Sequence, residues 1–213
     1  MIDHDAVLGI DGCPGGWVGA LVSGSDVTWY AGSLAYLVGL GAAVTAVDIP
    51  LVMPTGGARR ACEIQARARL GAARSSVFFT PPSTVLHAGS QAEASVLSRA
   101  AGSVGVSIQT WNIVPRIAEA QGFPSLLEAH PELSFRAMGP VTASKKTAVG
   151  QAERLALLRS WLPAVTVSRP GRAAVDDCLD ALACAWTAAR WQRGEAEVLG
   201  AEVLGGRLSR IVV

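Results

Sequence analysis

The chain has 213 residues, half of them hydrophobic and 16 % charged, with a formal net charge of +1 at pH 7. Such a composition fills a hydrophobic core and argues against disorder. Its near balance of charge argues against a polybasic surface that draws nucleic acid or membrane by field alone. No apolar run reaches the roughly 18 residues of a membrane span, and the opening MIDHDAV lacks the basic and apolar regions of a signal peptide. Four cysteines (Cys13, Cys62, Cys178, Cys184) show no paired spacing and read as reduced thiols. A single cytoplasmic domain over residues 1–213 is expected.

Residues 6–12 read as a first apolar strand, and Gly15–Gly16 turns the chain into a second at 17–23. Gly24–Ser25 leads to a third at 26–31, which completes an antiparallel meander. A short helix at 33–41, capped by Ser33, precedes a fourth strand at 43–49. From 57 to 70 the pattern turns helical and cationic and ends at Gly71. Arg59, Arg60, Arg67, Arg69 and Arg74 crowd there against Glu63, and 72–89 is loop-like. Residues 57–105 thus form a helical and loop insertion after the fourth strand. Helices follow at 90–101 and near 111–121, then a short strand at 125–129, helices at 148–161 and 174–192, and an edge strand at 207–213. The doublet AEVLGAEVLG at 196–205 is too short for a solenoid repeat. The layout is α/β, a mixed sheet flanked by helices.

Two apolar strands end on an acid, Asp11 in VLGIDG and Asp48 in AVDIP. If those strands are parallel neighbours, both carboxylates meet at the sheet edge where open α/β sheets place their sites. A third acidic group lies in AVDDCLDALACAW, where Asp177 and Asp180 share a helical face. Acids in a first helical turn are favoured by the helix dipole, which accounts for Asp176 and Asp177 but less well for Asp180. Converging carboxylates without basic partners repel one another, and a hard divalent cation with oxygen ligands relieves this. Mg²⁺ or Mn²⁺ is therefore the expected cofactor, with Asp11, Asp48, Asp177 and Asp180 as candidate ligands and the choice between the last two open. A metal-activated water would then attack a phosphodiester.

The motifs LGIDG, an acid closing the fourth strand, and DxxDALA on the last helix resemble the RNase H-like superfamily, in particular RuvC-type resolvases. Over about residues 7 to 192 the chain resembles a narrower group, the predicted RNase H-like nucleases known as the domain of unknown function 429 family. The matching blocks are GIDGCPGGWVGA, VDIPL, RRACEIQARARLGAARSSVF, SIQTWNIVPRI, EAHPELSF, SKKTAVGQAERLALL and DDCLDALACAWTA. Glu63 stands where aspartate is expected and Arg116 where lysine is expected, the charge being kept in both. The resemblance implies an RNase H-like five-stranded mixed sheet and a metal-dependent nuclease with Asp11, Asp48, Asp177 and Asp180 at the motif positions.

Glu128 and His130 in EAHPE either join this site, Glu128 as ligand or base and His130 on phosphate, or belong to the opening of a helix. Lys145 and Lys146 in SKKT either hold phosphate beside a helix N-terminus or form a solvated pair. Arg60, Arg67 and Ser76 are further candidates for phosphate. The expected partner is a nucleic-acid or nucleotide substrate, with no membrane and with a homodimer left open. The rival readings are a catalytically inactive binding or scaffold protein of the same fold, and a phosphotransferase related to actin-like ATPases. The length weakens the second rival, since 213 residues supply one such lobe and those enzymes need two.

Overall fold

The structure, a computed structural model, describes residues 5–213. The signal-peptide reading of MIDHDAV rests largely on residues 1–4, which lie outside the described residues. Three strands, β1 (Val7–Cys13), β2 (Gly16–Ser23) and β3 (Asp26–Gly32), form the expected antiparallel meander. After α1 (Leu34–Val38), β4 (Val44–Val47) returns parallel to β1 and β5 (Leu127–Glu128) pairs parallel to β4. The result is a mixed five-stranded sheet in the order β3-β2-β1-β4-β5, flanked by helices and consistent with the RNase H-like expectation. Ser33 caps α1, accepting from the Tyr36 N–H at 3.2 Å.

The remaining helices are α2 (Ala61–Leu70), α3 (Gln91–Ala100), α4 (Ile108–Ala120), α5 (Pro131–Met138), α6 (Ala148–Trp161) and α7 (Val175–Gln192). A separate hairpin joins β6 (Val198–Leu204) to β7 (Arg207–Val212). The chain divides into two compact units. The first takes the chain through Ile49, Ser125–Glu197 and Val212–Val213; the second takes Pro50–Pro124 and Val198–Ile211. The edge strand expected at 207–213 therefore pairs chiefly with β6. Val212 alone makes an isolated parallel bridge to Ala129. Within the doublet, Gly200 sits at φ +56°, and a Cβ there would come within 2.2 Å of the Cys62 backbone nitrogen.

In the first unit, strand alternation sorts the side chains between two faces. Val7, Gly9, Asp11 and Cys13 share one face with Ala46 and Leu127, their partners across the ladder. Helix α7 lies against that face through Gly9, where a Cβ would stand 2.0 Å from the Ala181 carbonyl oxygen and 2.1 Å from the Ala185 nitrogen. Only glycine lets strand and helix backbones approach so closely. The small residues Ala181, Ala185 and Ala188 complete the seam, all fully buried. Leu8 and Ile10 point the other way, with Leu37 of α1 over Gly19 and Leu8.

Candidate active site: carboxylates at the strand ends

Close packing of α7 on β1 brings three carboxylates together. The Asp11 Oδ1 accepts from the Gly12 N–H at 2.7 Å, and the Asp48 N–H donates to the Ile10 carbonyl at 3.0 Å, extending the β1–β4 ladder by one rung. Asp11 and Asp48 are thus neighbours at the end of parallel strands, on the α7 face. Asp180, one turn into α7, is 1 % exposed, and its charge acts on Asp11.

Electrostatics bind the three into one system. Burial, followed by the charges of Asp48 and Asp180, pushes the Asp11 carboxyl well above the usual carboxylate range. Burial pushes Asp48 up to about 7; Lys145 opposes this, while Glu128 and Glu132 add to it. Burial likewise raises Asp180 to about 6 against the pull of Lys145, whose ammonium donates to Asp180 Oδ2. Burial disfavours the Lys145 ammonium, but Asp180, Asp48 and Asp11 outweigh it and raise its pKa. Asp180 Oδ1 is buried without a hydrogen-bond partner, an expensive state for a carboxylate oxygen.

Asp177 is set apart from this group. Its Oδ2 accepts from the Ala174 N–H at 2.9 Å and closes the first turn of α7. The neighbouring acid, Asp176, instead takes a partner the sequence did not reveal, since Lys146 donates to its Oδ2. Asp176 and Asp180 sit one turn apart and Lys146 and Lys145 are adjacent, so the SKKT loop is tied to α7 at two points. Lys146 remains 71 % exposed, so its pair adds little to stability.

Glu128 is 5 % exposed and stands in the ladder row of Ile10 and Val47. Alternation therefore puts it on the face opposite Asp11 and Asp48, and its charge still raises Asp48. His130 takes the N-cap position of α5, with Pro131 at the first helical turn; its carbonyl accepts from the Leu133 and Ser134 N–H groups.

The loop before α6 is held by residues that the sequence reading passed over. Arg154, 3 % exposed, grips Glu132 with two bonds of 2.7 and 2.9 Å and donates to the Ala143 and Gly150 carbonyls at 3.1 and 3.0 Å. The Glu153 carboxylate accepts from the Thr142 and Ala143 N–H groups at 3.0 and 2.9 Å. One signal was present: Gly150, Arg154 and Leu158, at i, i+4 and i+8, form the buried stripe of α6. A charge on such a stripe demands a buried partner.

The second unit holds the remaining candidates. Arg60 is 1 % exposed and donates to Glu63 Oε1 at 2.9 Å, so it is closed to a phosphate from solution. The same Glu63 oxygen accepts from the Thr80 N–H at 2.9 Å. Arg67 donates to the Arg74 carbonyl at 2.9 Å and to the Val77 carbonyl, and lies 4.7 Å from the Phe79 ring centre. Ser76 donates to the Ala73 carbonyl at 2.9 Å in a 3-10 turn. Each of these three is engaged with its own backbone or core.

The first-unit donor set suits a hard cation in kind, being all carboxylate with one orphaned oxygen. As placed, no group of three or more His, Cys, Asp or Glu among the described residues could hold a metal ion. Mg²⁺ needs fewer, since one or two carboxylates with waters suffice.

The raised Asp48 sets a pH signature. Between 3.8 and about 7 the folded chain binds the proton that the unfolded chain releases, so stability falls as pH rises through that window. Asp48→Asn is neutral throughout and is expected to raise stability in EDTA by on the order of 2 kcal/mol at pH 8, with little change at pH 4. Thermal melts at the two pH values check this.

No helix among the described residues is long and apolar enough to cross a membrane. Comparison with curated proteins gave no match, and neither did comparison with solved structures. A family model does match, over residues 9–204, which span Asp11, Asp48, the SKKT loop and α7. The chain therefore belongs to the family described as protein of unknown function, DUF429.

Proposed function

We infer that the protein is a divalent-metal-dependent phosphodiester hydrolase acting on a nucleic-acid or nucleotide substrate. The observation that carries this reading is the convergence of Asp11, Asp48 and Asp180, mutually repelling, at the end of two parallel strands. Carboxylates whose pKa values are raised first by burial and then by neighbouring acids invite a cation. Perturbed carboxylates at a strand end are also a common mark of a reaction site.

Asp11 and Asp48 would bind Mg²⁺ or Mn²⁺ from the strand ends with waters completing the shell, and Asp180, whose Oδ1 is orphaned, would become a third donor only after a side-chain shift. When bound, the ion supplies Lewis-acid activation of water and of a phosphoryl oxygen. Lys145 balances the acids, and the exposed ammonium of Lys146 draws a substrate phosphate. Arg154 and Glu153 hold the segment just before the lysines, at Thr142 and Ala143, and Asp180 and Asp176 hold the lysines themselves.

Calorimetric titration with Mn²⁺, on wild type and on Asp11→Asn, is the test. Binding that weakens at least tenfold in the variant, together with metal-dependent cleavage lost in it, supports the reading. A wild type that neither binds metal nor cleaves DNA, RNA or nucleotides in its presence sinks it. A second reading, a binding or scaffold protein without turnover, is favoured by the Lys145–Asp180 pair, which places an ammonium on the carboxylate that a metal would need. It predicts metal-independent stability and no cleavage.

A further inference from the structure

Outside the carboxylate site, the second unit holds a cavity of about 340 Å³, within the size range of small-molecule sites. Its lining includes Arg59, Phe78, Phe79, Ser103, Ser107 and Thr110, and no acidic residue. The charge of the wall is therefore positive.

Arg59 is the group that gives the cavity its chemistry. Its guanidinium lies 4.0 Å from the centre of the Phe79 ring, a cation–π contact. Phe79 is also held by Arg67, at 4.7 Å, and Arg67 is fixed by the Arg74 and Val77 carbonyls. A ring so held positions the Arg59 guanidinium, and Arg59 itself is exposed to a ligand. A pre-oriented guanidinium is the side chain best matched to a phosphate's oxygens. The neighbouring arginine of the sequence pair, Arg60, faces inward to Glu63 and leaves this role to Arg59.

Hydroxyls line the cavity as well. Ser107 caps α4, accepting from the Thr110 N–H at 3.1 Å, with its own hydroxyl 2.9 Å from that of Thr110. The first turn of this 13-residue helix thus borders the cavity, adding positive potential to a wall that Arg59 already charges. Phe78 and Phe79, both half-buried, supply an apolar flank for a flat ring.

The geometry points to a nucleoside monophosphate as the ligand of this cavity, its phosphate on Arg59 and the Ser107–Thr110 side and its base against Phe78. This site goes beyond the carboxylate cluster, shares no residue with it and needs no metal.

The test is calorimetry in EDTA with adenosine and uridine monophosphates, adenosine and inorganic phosphate as probes. The variants are Arg59→Gln, which alters an exposed side chain, and Ser103→Trp, which fills the cavity. Monophosphates are expected to bind, at least tenfold more tightly than adenosine or phosphate alone, and to lose tenfold or more in either variant. Circular dichroism of the variants confirms that they fold. No binding of either monophosphate at millimolar concentration overturns the assignment, as does binding unchanged in both folded variants. Adenosine or inorganic phosphate binding as tightly as the nucleotides also overturns it. Metal-free nucleotide binding is independent of cleavage, so either reading can fail without the other.

Discussion

Arg154→Met is expected to lower stability by about 3–5 kcal/mol, the usual result of breaking a buried ion pair from one side. Methionine keeps much of the stem volume, so the loss isolates the charge and its hydrogen bonds. Glu132 would keep its charge beside Asp48 and Asp180, whose carboxyls it already raises. The Ala143 and Gly150 carbonyls would each lose a donor. Urea denaturation at pH 7 measures the effect. Adding Glu132→Leu should recover a large part of it, because replacing a whole buried pair by apolar groups is often neutral. A loss under 1 kcal/mol in the single variant would show that the pair is not anchoring the loop.

Gly9→Val is expected to leave no folded protein, and Gly9→Ala to cost more than about 3 kcal/mol. Inserted atoms in a packed core typically cost 1–3 kcal/mol when side chains can yield. Here the Cβ itself meets the backbone of α7, at 2.0 Å from the Ala181 oxygen, and no rotamer moves a Cβ. Helix and strand must separate, which takes Asp180 away from Asp11. Gly89→Ala is the control, since its Cβ meets only the flexible Glu93 carboxylate at 3.5 Å; it should stay within about 0.5 kcal/mol. Circular dichroism and denaturant melts of the three variants decide the matter, and a stable Gly9→Ala would refute the backbone seam.

How legible this molecule is in its sequence follows from the range of each interaction. An apolar run announces a strand but not its end: β1 and β4 are readable as strands, yet β1 continues past Asp11 to Cys13 by pairing with β2, and β4 stops at Val47, one residue before Asp48. Caps made by a neighbour are equally readable: Ser33 opens α1 and Gly71 closes α2. The start of α2 was not, and the helix begins at Ala61 where 57 was expected. Its first amide, Ala61 N–H, is received at 2.6 Å by Glu202, which lies 141 residues away. The face of Glu128 depends on register within a two-residue strand, too short to show alternation. The lysines of SKKT looked free for phosphate because Asp176 and Asp180 come from a distant helix. Arg154 alone among the missed residues carried a local signal, a charge on an apolar stripe.

The division of the chain bears on how it is made. Each unit interleaves early and late segments, and the first is completed only by Val212 beside Ala129 and by Val213 paired both ways with Glu197 at 2.9 Å. Pairings across such sequence separations must await their loop closures. A ribosome that has delivered β1 to β5 therefore holds a sheet whose outer rung is still unmade. Until residues 198–213 emerge, both units wait with open edges, a window in which a nascent chain is most in need of chaperone protection.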